Sequence, residues 1–282
     1  MKSLREYLAW AEEKRVAIGH FNVSDSEGFN AVVTAAKEFK VPVIIGVSEK
    51  ERDFIGLEQI ISLVKTAQAN NLPVFVNADH TYSIEKAKMA IDTGVDSVII
   101  DLAEQTFEEN VRSTKEVVDY ARAKNAEIVV EGELGFIGKS SKIIDSLPKG
   151  VSEETQTKPE EAREFVEKTG VDLLAPSVGN VHGIIKSGNP KLNIPLIKNI
   201  RETVNVPLVL HGGSGISNED FLAAIDAGIR IIHINTELRV AYKEGIEAGL
   251  KTGEIAPYKF LTIGMQEMKR VVREKLKLFN KL

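Results

Sequence analysis

Short apolar segments alternate with longer amphipathic segments along almost the whole chain. Several of the apolar segments are rich in Val and Ile and have few polar interruptions, which is typical of parallel strands that are buried on both faces. Eight strands are predicted on this basis, at Val16–Val23, Val41–Val47, Pro73–His80, Ser97–Leu102, Glu127–Gly135, Leu173–Gly179, Pro207–Gly213 and Ile229–Thr236.

The segments between these strands have helical spacing. Phe107–Lys124 repeats apolar residues at intervals of three and four opposite a charged face. Pro159–Thr169 begins with a proline and two glutamates, which suit the first turn of a helix, and Ser217 is placed to cap the next one. Two further helices are predicted outside the repeat, at Ser3–Lys14 and Pro257–Phe279.

Strands that alternate with helices predict an α/β fold, namely a closed (β/α)₈ TIM barrel with extra N-terminal and C-terminal helices. A doubly wound open sheet is the alternative that the pattern alone leaves open. The chain of 282 residues has no linker-like composition, so we expect residues 1–282 to form a single barrel domain. The segment Lys139–Lys158 interrupts the alternation of strands and helices. A loop of that length in a compact domain is usually either functional or disordered.

Composition restricts the class of protein. The net charge is −5 with both signs well mixed, so we expect no nucleic-acid partner and no membrane partner. No apolar run approaches the ~20 residues that a membrane helix requires, and the N-terminus has no secretory signal. Cysteine is absent, which excludes disulfides, thiolate ligands and a cysteine nucleophile. A cytoplasmic enzyme is the resulting prediction.

The histidines point to a metal site. All five lie within a predicted strand or just beyond its C-terminal end, and in a barrel these ends meet on the face where catalytic residues gather. They are His20, His80, His182, His211 and His233. Imidazole suits Zn²⁺, and a catalytic zinc ion typically has three protein ligands and one open position.

Local context distinguishes among these histidines. His80 follows Asp79, His182 precedes a glycine, and His211 opens a glycine-rich turn, so these three are the candidate zinc ligands. His20 lacks such a context and is expected to pack near the site or to support it. The role of His233 stays open.

Two segments predict a phosphate site. The segment 211–215 reads His-Gly-Gly-Ser-Gly and precedes a helix, so that it can present backbone amides and a helix N-terminus to an anion. The segment 235–237 enters a helix directly after the eighth strand. A glycine cluster alone is also compatible with a simple tight turn. Barrel enzymes often bind phosphate on the loops after strands seven and eight, so the two segments together favour a phosphate site.

These residues, in this order, resemble the class II, metal-dependent fructose-bisphosphate aldolase family, which includes tagatose-bisphosphate aldolases. The resemblance extends over essentially the whole chain. The matching stretches are Gly19-His20-Phe21-Asn22-Val23, Asp79-His80, Phe107-Glu108-Glu109-Asn110, Glu131-Gly132-Glu133-Leu134-Gly135, Lys158-Pro159-Glu160-Glu161-Ala162, Thr169-Gly170-Val171-Asp172, Gly179-Asn180-Val181-His182-Gly183 and the segment from Pro207 to Gly215.

The resemblance implies a metal centre and a catalytic carboxylate. It implies that His80, His182 and His211 bind one catalytic Zn²⁺ ion and that Glu133 binds the metal in an alternative position. It leaves open a second divalent or a monovalent cation. Asp79 matches the acid/base aspartate of the family.

The resemblance also implies how the substrate is held. The phosphate end of a phosphorylated sugar is expected to contact Gly183, Gly212, Ser214, Asn235 and Thr236, and Asn22 is expected to lie near the substrate. The family further implies a homo-oligomer, either a dimer or a tetramer.

The implied activity is the reversible cleavage of fructose 1,6-bisphosphate to dihydroxyacetone phosphate and glyceraldehyde 3-phosphate, a carbon–carbon lyase reaction. A zinc-stabilised enediolate would be the intermediate, and Asp79 would take the proton of the carbon-four hydroxyl. Tagatose 1,6-bisphosphate or another ketose phosphate is the alternative substrate, since epimers are separated by small energy differences.

The chain also departs from the family pattern. Asn77 and Thr81 flank the Asp-His pair where the family usually has other residues, and His233 stands where an asparagine commonly contacts the substrate. The segment 138–141 lacks the usual carboxylate, so the group that serves the enediolate carbon is left open. A zinc-bound histidine could serve, as could one of three acids on the long loop, Asp145, Glu153 or Glu154.

Two other functions are alternatives to an aldolase. A metal-dependent hydrolase commonly has a His-x-His pair on its first strand, and the chain contains no such pair. A sugar-phosphate binding protein without turnover would explain the departures, but Asp79 and the three histidines argue against it.

Overall fold

Eight strands of the chain form a closed parallel barrel. The structure is a computed structural model that describes residues 2–139 and 141–282. Met1 and Ser140, which belong to the N-terminus and the long loop considered above, lie outside the described residues. The barrel strands are β1 (Ile18–Asn22), β2 (Val43–Val47), β3 (Val74–Thr81), β4 (Ser97–Ile100), β5 (Val129–Leu134), β7 (Leu173–Pro176), β9 (Leu208–Leu210) and β10 (Ile229–Ile234). Because β10 pairs with β1, the sheet is closed, which confirms the (β/α)₈ barrel and excludes the open sheet.

Helices follow the strands and cover the outside of the barrel. The predicted flanking helices are present, and Ser217 caps its helix as predicted. Within the described residues, no helix has both the length and the apolar character needed to cross a membrane. The helices are α1 (Leu4–Lys14), α2 (Ser26–Phe39), α3 (Glu49–Ile55), α4 (Leu57–Ala69), α5 (Ile84–Thr93), α6 (Phe107–Lys124), α7 (Pro159–Thr169), α8 (Ile194–Thr203), α9 (Asn218–Ala227), α10 (Thr236–Leu250) and α11 (Pro257–Phe279).

Helix α1 closes the N-terminal end of the barrel. Leu4 and Leu8 pack with inward-facing strand residues such as Phe75 in one buried cluster. Arg5 of the same helix binds both carboxylate oxygens of Asp172, at 2.7 and 2.9 Å. Since this end is filled, the opposite end, where the strands finish, is the end available for a site.

A second, larger core lies between the strands and the outer helices. Helix α11 packs on α2 and α10 and buries Met268, Val271, Val272 and Leu276 in this core. The apolar face of α11 is therefore part of the core.

The long loop after β5 is more regular than its composition suggested. It contains a short strand, β6 (Ile143–Ile144), and one 3₁₀ turn (Glu153–Thr155). Strand β6 pairs in parallel with β8 (Ile184–Ile185), which lies beyond the end of β7. The two loops are thereby joined above the C-terminal end of the barrel.

Candidate active site

Three imidazole rings from separate segments meet at the C-terminal end of the barrel. His80 lies near the end of β3, His182 in the loop after β7, and His211 directly after β9. One ring nitrogen from each lies within 4.8 Å of the others. His80 has a φ of 35°, and the pairing of β3 with β4 shifts register at this point. Irregularities of this kind re-aim a side chain at the end of a strand.

Hydrogen bonds fix the orientation of two of these rings. Nδ1 of His80 lies 2.8 Å from Oδ2 of Asp101, and Nδ1 of His182 lies 2.6 Å from the carbonyl oxygen of Gly138. Both acceptors favour a hydrogen on Nδ1, so Nε2 is the nitrogen that the neutral form of each ring leaves free for a ligand. Burial and the neighbouring rings of His80 and His211 lower the pKa of His182 to about 3, which keeps that ring neutral.

The ring of His211 is oriented in the opposite sense. Its Nε2 donates to Oε1 of Glu131 at 2.6 Å, and both side chains are buried. Its Nδ1 has no hydrogen-bond partner among the described residues, and the same holds for Oε2 of Glu133, which lies 3.5 Å away. Burial opposes a charge on His211, but these two carboxylates raise its pKa well above the usual value. The surroundings of Nδ1 therefore favour positive charge.

Glu133 adds a carboxylate to the three rings. Its Oε2 lies 3.4 Å from Nδ1 of His80, and burial together with the charge of Asp101 raises its pKa. Burial disfavours protonation of His80, but Asp79 and Asp101 outweigh this effect and raise its pKa to about 9. Three imidazoles and one carboxylate, with unpaired buried ligand atoms among them, are a donor set that suits a divalent ion of the zinc type. These residues could hold such an ion.

Asp79 presents one unpaired oxygen beside this group. Its Oδ2 accepts a hydrogen bond from Nδ2 of Asn22 at 2.7 Å. Its Oδ1 is buried, has no hydrogen-bond partner among the residues described, and lies 3.8 Å from Nε2 of His80 and 3.7 Å from Nδ1 of His233. Burial raises the pKa of Asp79, but the charges of His80 and His211 and the amide of Asn22 bring it below the usual value. The ionised form of the carboxylate is therefore favoured, and its Oδ1 has no partner in the described part of the chain that would compete with a substrate hydroxyl.

The two remaining histidines continue the cluster as a stack. The rings of His20 and His233 lie 3.5 Å apart and are nearly parallel, at 4°. The ring of His233 in turn lies 4.2 Å from that of His211, at 27°. Burial lowers the pKa of His20 to about 4 and that of His233 well below its usual value. Two neutral rings thus pack against one side of His211, in agreement with a supporting position for His20.

A pocket opens above these side chains. Its walls contain every residue that the resemblance places around the substrate, together with Asp79 and two of the three histidines. The lining residues are Asn22, Asp79, His80, Ser141, His182, Gly183, Gly212, Gly213, Ser214, His233, Asn235 and Thr236. His211 and Glu133 are buried and do not contribute to the lining.

The glycine-rich turn packs closely against a neighbouring loop and a helix N-terminus. Gly212 has a φ of 62°, and a Cβ atom there would lie 2.2 Å from the carbonyl oxygen of Val181. Oγ of Ser214 accepts a hydrogen bond from the backbone amide of Glu237, in the first turn of α10. Backbone amides at a helix N-terminus favour an anion, so this wall is suited to a phosphate group.

Three carboxylates at the site were not singled out from the sequence. Glu131 is hydrogen-bonded to His211, and Asp101 is hydrogen-bonded to His80. Glu51 accepts a hydrogen bond from Nδ2 of Asn22 at 2.9 Å. Side chains two residues apart on a strand share a face, so Glu131 could have been found from its position two residues before Glu133. Asp101 directly follows a strand, and that position is the only sequence signal it offers.

The three acids considered as proton donors or acceptors for the enediolate carbon lie outside the pocket lining. Asp145 is 85% exposed and pairs with Lys186. Glu153 and Glu154 lie in the exposed 3₁₀ turn. None of the three is among the described residues that line the pocket.

Comparisons with known proteins agree with this geometry. The family model for class II fructose-bisphosphate aldolase matches residues 2–282. The chain is 38% identical to a fructose-bisphosphate aldolase of Geobacillus stearothermophilus and to one of Staphylococcus aureus strain Mu50, each alignment covering 98% of this chain and 96% of the relative. The crystal structure of the YdjI aldolase from Escherichia coli K12 superposes with a TM-score of 0.84 at 35% identity, over 99% of this chain and 97% of that one. The chain belongs to the class II fructose-bisphosphate aldolase family and is an aldolase, a carbon–carbon lyase.

Proposed function

We propose that the chain cleaves fructose 1,6-bisphosphate reversibly to dihydroxyacetone phosphate and glyceraldehyde 3-phosphate and uses one Zn²⁺ ion bound by His80, His182 and His211. The main support is the position of Asp79, an ionised carboxylate with one unpaired oxygen, beside three converging imidazoles. The names of the two relatives at 38% identity support the choice of substrate.

The three histidines and Glu133 would hold the metal. Nε2 of His80 and of His182 and Nδ1 of His211 are the nitrogens that their hydrogen bonds leave free. Oε2 of Glu133 offers a further ligand atom for an alternative metal position. Bound zinc supplies a Lewis acid for the negative charge that develops on the dihydroxyacetone phosphate portion. A second divalent or a monovalent cation is not needed for this proposal.

Asp79 would act as the base in cleavage. Its unpaired Oδ1 accepts the proton of the carbon-four hydroxyl, and the O–H electron pair becomes the second bond of the new aldehyde. The bond between carbons three and four breaks at the same time, and its electrons remain with carbon three. In synthesis, Asp79 returns the proton to the aldehyde oxygen.

The glycine-rich wall of the pocket would hold the phosphate of the dihydroxyacetone phosphate portion. The groups proposed for this contact are those of Gly183, Gly212, Ser214, Asn235 and Thr236. Amides and hydroxyls can bind the dianion without a lysine or arginine, because the N-terminus of α10 adds a favourable dipole. Asn22 would hold Asp79 and face the substrate.

An assay of bond cleavage tests this function. Purified protein is stripped with a chelator, reloaded with Zn²⁺ and mixed with fructose 1,6-bisphosphate, and triose phosphate release is followed with a coupling enzyme. We expect no turnover in the stripped protein, turnover with zinc, and slower turnover with tagatose 1,6-bisphosphate. Substrate binding without turnover in the reloaded protein would instead indicate a sugar-phosphate binding protein, and faster turnover of the tagatose epimer would reverse the substrate assignment.

Three broader predictions accompany this function. We propose a homo-oligomer, a cytoplasmic location and one domain over residues 1–282, as expected from the sequence and the family. Sedimentation analysis tests the first, and a single cooperative unfolding transition would support the last.

A further inference from the structure

The amide of Asn22 donates hydrogen bonds to two buried carboxylates. Its Nδ2 lies 2.7 Å from Oδ2 of Asp79 and 2.9 Å from Oε2 of Glu51. An amide group has two N–H donors, and both are used here. If the amide were flipped, its carbonyl oxygen would face both carboxylates, which is repulsive. The two acids together therefore determine which way the amide points.

Glu51 lies on α3, outside the pocket that holds Asp79. Glu51 is 7% exposed and is absent from the lining of that pocket. Oε2 also accepts hydrogen bonds from the backbone amide and the hydroxyl of Ser48, each at 2.8 Å. Oε1 accepts one from Nη2 of Arg239 at 2.6 Å. With Asn22 included, four donors hold this carboxylate in one position.

Arg239 supplies the charge that lets Glu51 remain buried beside a second acid. Without a cation, two carboxylates that share one amide would repel each other. Arg239 extends from α10, the helix whose first turn contacts Ser214. The chain of contacts from Arg239 through Glu51 and Asn22 thus ends on the carboxylate proposed as the base.

We propose that Glu51 is a positioning residue for the aldolase reaction, which acts by holding the Asn22 amide so that Asp79 keeps its reactive orientation. The proposal rests on the proposed function in one respect, because it takes Asp79 as the base for the carbon-four hydroxyl. Glu51 itself touches no reacting atom. Its loss allows the amide to turn and leaves Oδ2 of Asp79 without its only side-chain donor among the described residues.

A simpler role for Glu51 is to cap α3. Ser48 and Glu51 occupy the two positions of a capping box, and the Glu51 carboxylate accepts the hydrogen bond of the Ser48 backbone amide at the start of the helix. Ser3 and Glu6 form the same motif at the start of α1, at the closed end of the barrel. Glu6 therefore provides a matched control for the loss of a helix cap without any change near Asn22.

Kinetics on three variants separate the two roles. Glu51→Ala, Glu51→Gln and Glu6→Ala are prepared with a full zinc complement, and cleavage of fructose 1,6-bisphosphate is compared with the exchange of dihydroxyacetone phosphate hydrogen into deuterium oxide. Exchange involves no carbon-four hydroxyl and so does not need the proposed function of Asp79. We expect Glu51→Ala to lower kcat for cleavage by about 10- to 100-fold and to change KM less than about threefold. Exchange should stay within about twofold of the parent rate.

The conservative variant gives an intermediate result. Glutamine keeps one acceptor for Asn22 but loses the charge that pairs with Arg239, so Glu51→Gln should recover part of the cleavage rate. Glu6→Ala should cleave at the parent rate. A loss of cleavage and exchange together in Glu51→Gln, or cleavage by Glu51→Gln and Glu51→Ala at the parent rate, would overturn the proposal.

A crystal structure of Glu51→Ala tests the same claim without a substrate. We expect the Asn22 amide to have turned away from Asp79, and an unchanged Asn22–Asp79 hydrogen bond would overturn the proposal. If Glu51→Ala does not fold, the structure of Glu51→Gln decides, with displacement of Arg239 or rotation of Asn22 as the expected result and both contacts unchanged as the contrary one. If the parent protein does not cleave fructose 1,6-bisphosphate, the proposed substrate is wrong. The orientation of the Asn22 amide in the Glu51 variants still tests the positioning role.

Discussion

Oε1 of Glu131 accepts the Nε2 hydrogen of His211 at 2.6 Å, and this contact determines which nitrogen of the ring is free. Both side chains are almost completely buried, at 1% and 2% exposure, so water does not compete for the bond. A carboxylate behind a histidine fixes its tautomer and makes the ring a stronger ligand. In this chain the contact leaves Nδ1 available to a metal, next to Glu133.

Replacing Glu131 should therefore weaken metal binding without removing a ligand. In Glu131→Gln we expect the affinity for Zn²⁺ to fall about 10- to 100-fold, because the neutral amide no longer favours one tautomer and one charge state of His211. Competition with a zinc-binding dye measures the affinity. An unchanged affinity would show that Glu131 does not orient His211 for the metal.

Removing Asp79 should separate metal binding from turnover. Asp79→Ala keeps all three imidazoles, so we expect one Zn²⁺ per chain by elemental analysis. The kcat for cleavage should fall about 10²- to 10⁴-fold, since proton transfer is lost. A rate near that of the parent protein would mean that another group accepts the proton.

A methyl group at Gly212 should distort the phosphate-binding wall. The added Cβ would lie 2.2 Å from the carbonyl oxygen of Val181, at a φ of 62° that alanine also disfavours. We expect kcat/KM to fall at least about tenfold, because small displacements of a positioning group are costly. Gly94→Ala is the matched control, since Gly94 has a φ of 101° but no atom within 4 Å of the added carbon. Equal losses in the two variants would point to strain alone.

Asp96 gives a prediction for stability against pH, at the closed end of the barrel. Burial raises the pKa of Asp96 from 3.8 to about 6, although the backbone amide of Val76 and the charge of Lys65 oppose the shift. The folded state therefore binds the proton more tightly than the unfolded state, and stability falls as the pH rises from 3.8 through about 6.

Asparagine at position 96 removes this titration. The gain in unfolding free energy of Asp96→Asn over the parent should be larger at pH 8 than at pH 5, by about 1 kcal/mol. Thermal melts at the two pH values measure it as a difference of about 2 °C. A gain that is equal at both pH values would contradict the raised pKa.

The sequence was sufficient for the barrel, because its strands are short, mostly apolar and separated by helical segments. Strand ends were predicted less well. The sixth strand was expected at Leu173–Gly179 and ends at Pro176, because the chain then turns away from the ladder through Gly179, which has a φ of 95°. The pairing of Ile143–Ile144 with Ile184–Ile185 gave no signal, because two-residue strands some forty positions apart have no periodicity of their own.

The candidate site was predictable in its residues but not in its orientations. Asp79 and the histidines were predicted as site residues from their strand positions and from the resemblance. The structure brings them together. Their roles stay predictions. Which nitrogen of each ring is free depends on Glu131, on Asp101 and on the Gly138 carbonyl, all of which are contacts made only in the folded chain. The contact of Glu51 with Asn22 could not be predicted for a different reason. In the sequence, a capping box with Ser48 is a sufficient explanation for a glutamate at this position.

The claim that three imidazoles hold one catalytic metal ion is tested most directly by X-ray diffraction at the zinc absorption edge from crystals of the zinc-loaded protein. The account predicts one anomalous peak at the base of the pocket, with Nε2 of His80, Nε2 of His182 and Nδ1 of His211 each about 2.0–2.1 Å away. A peak bound by other residues, or no peak within reach of these three nitrogens, would contradict it.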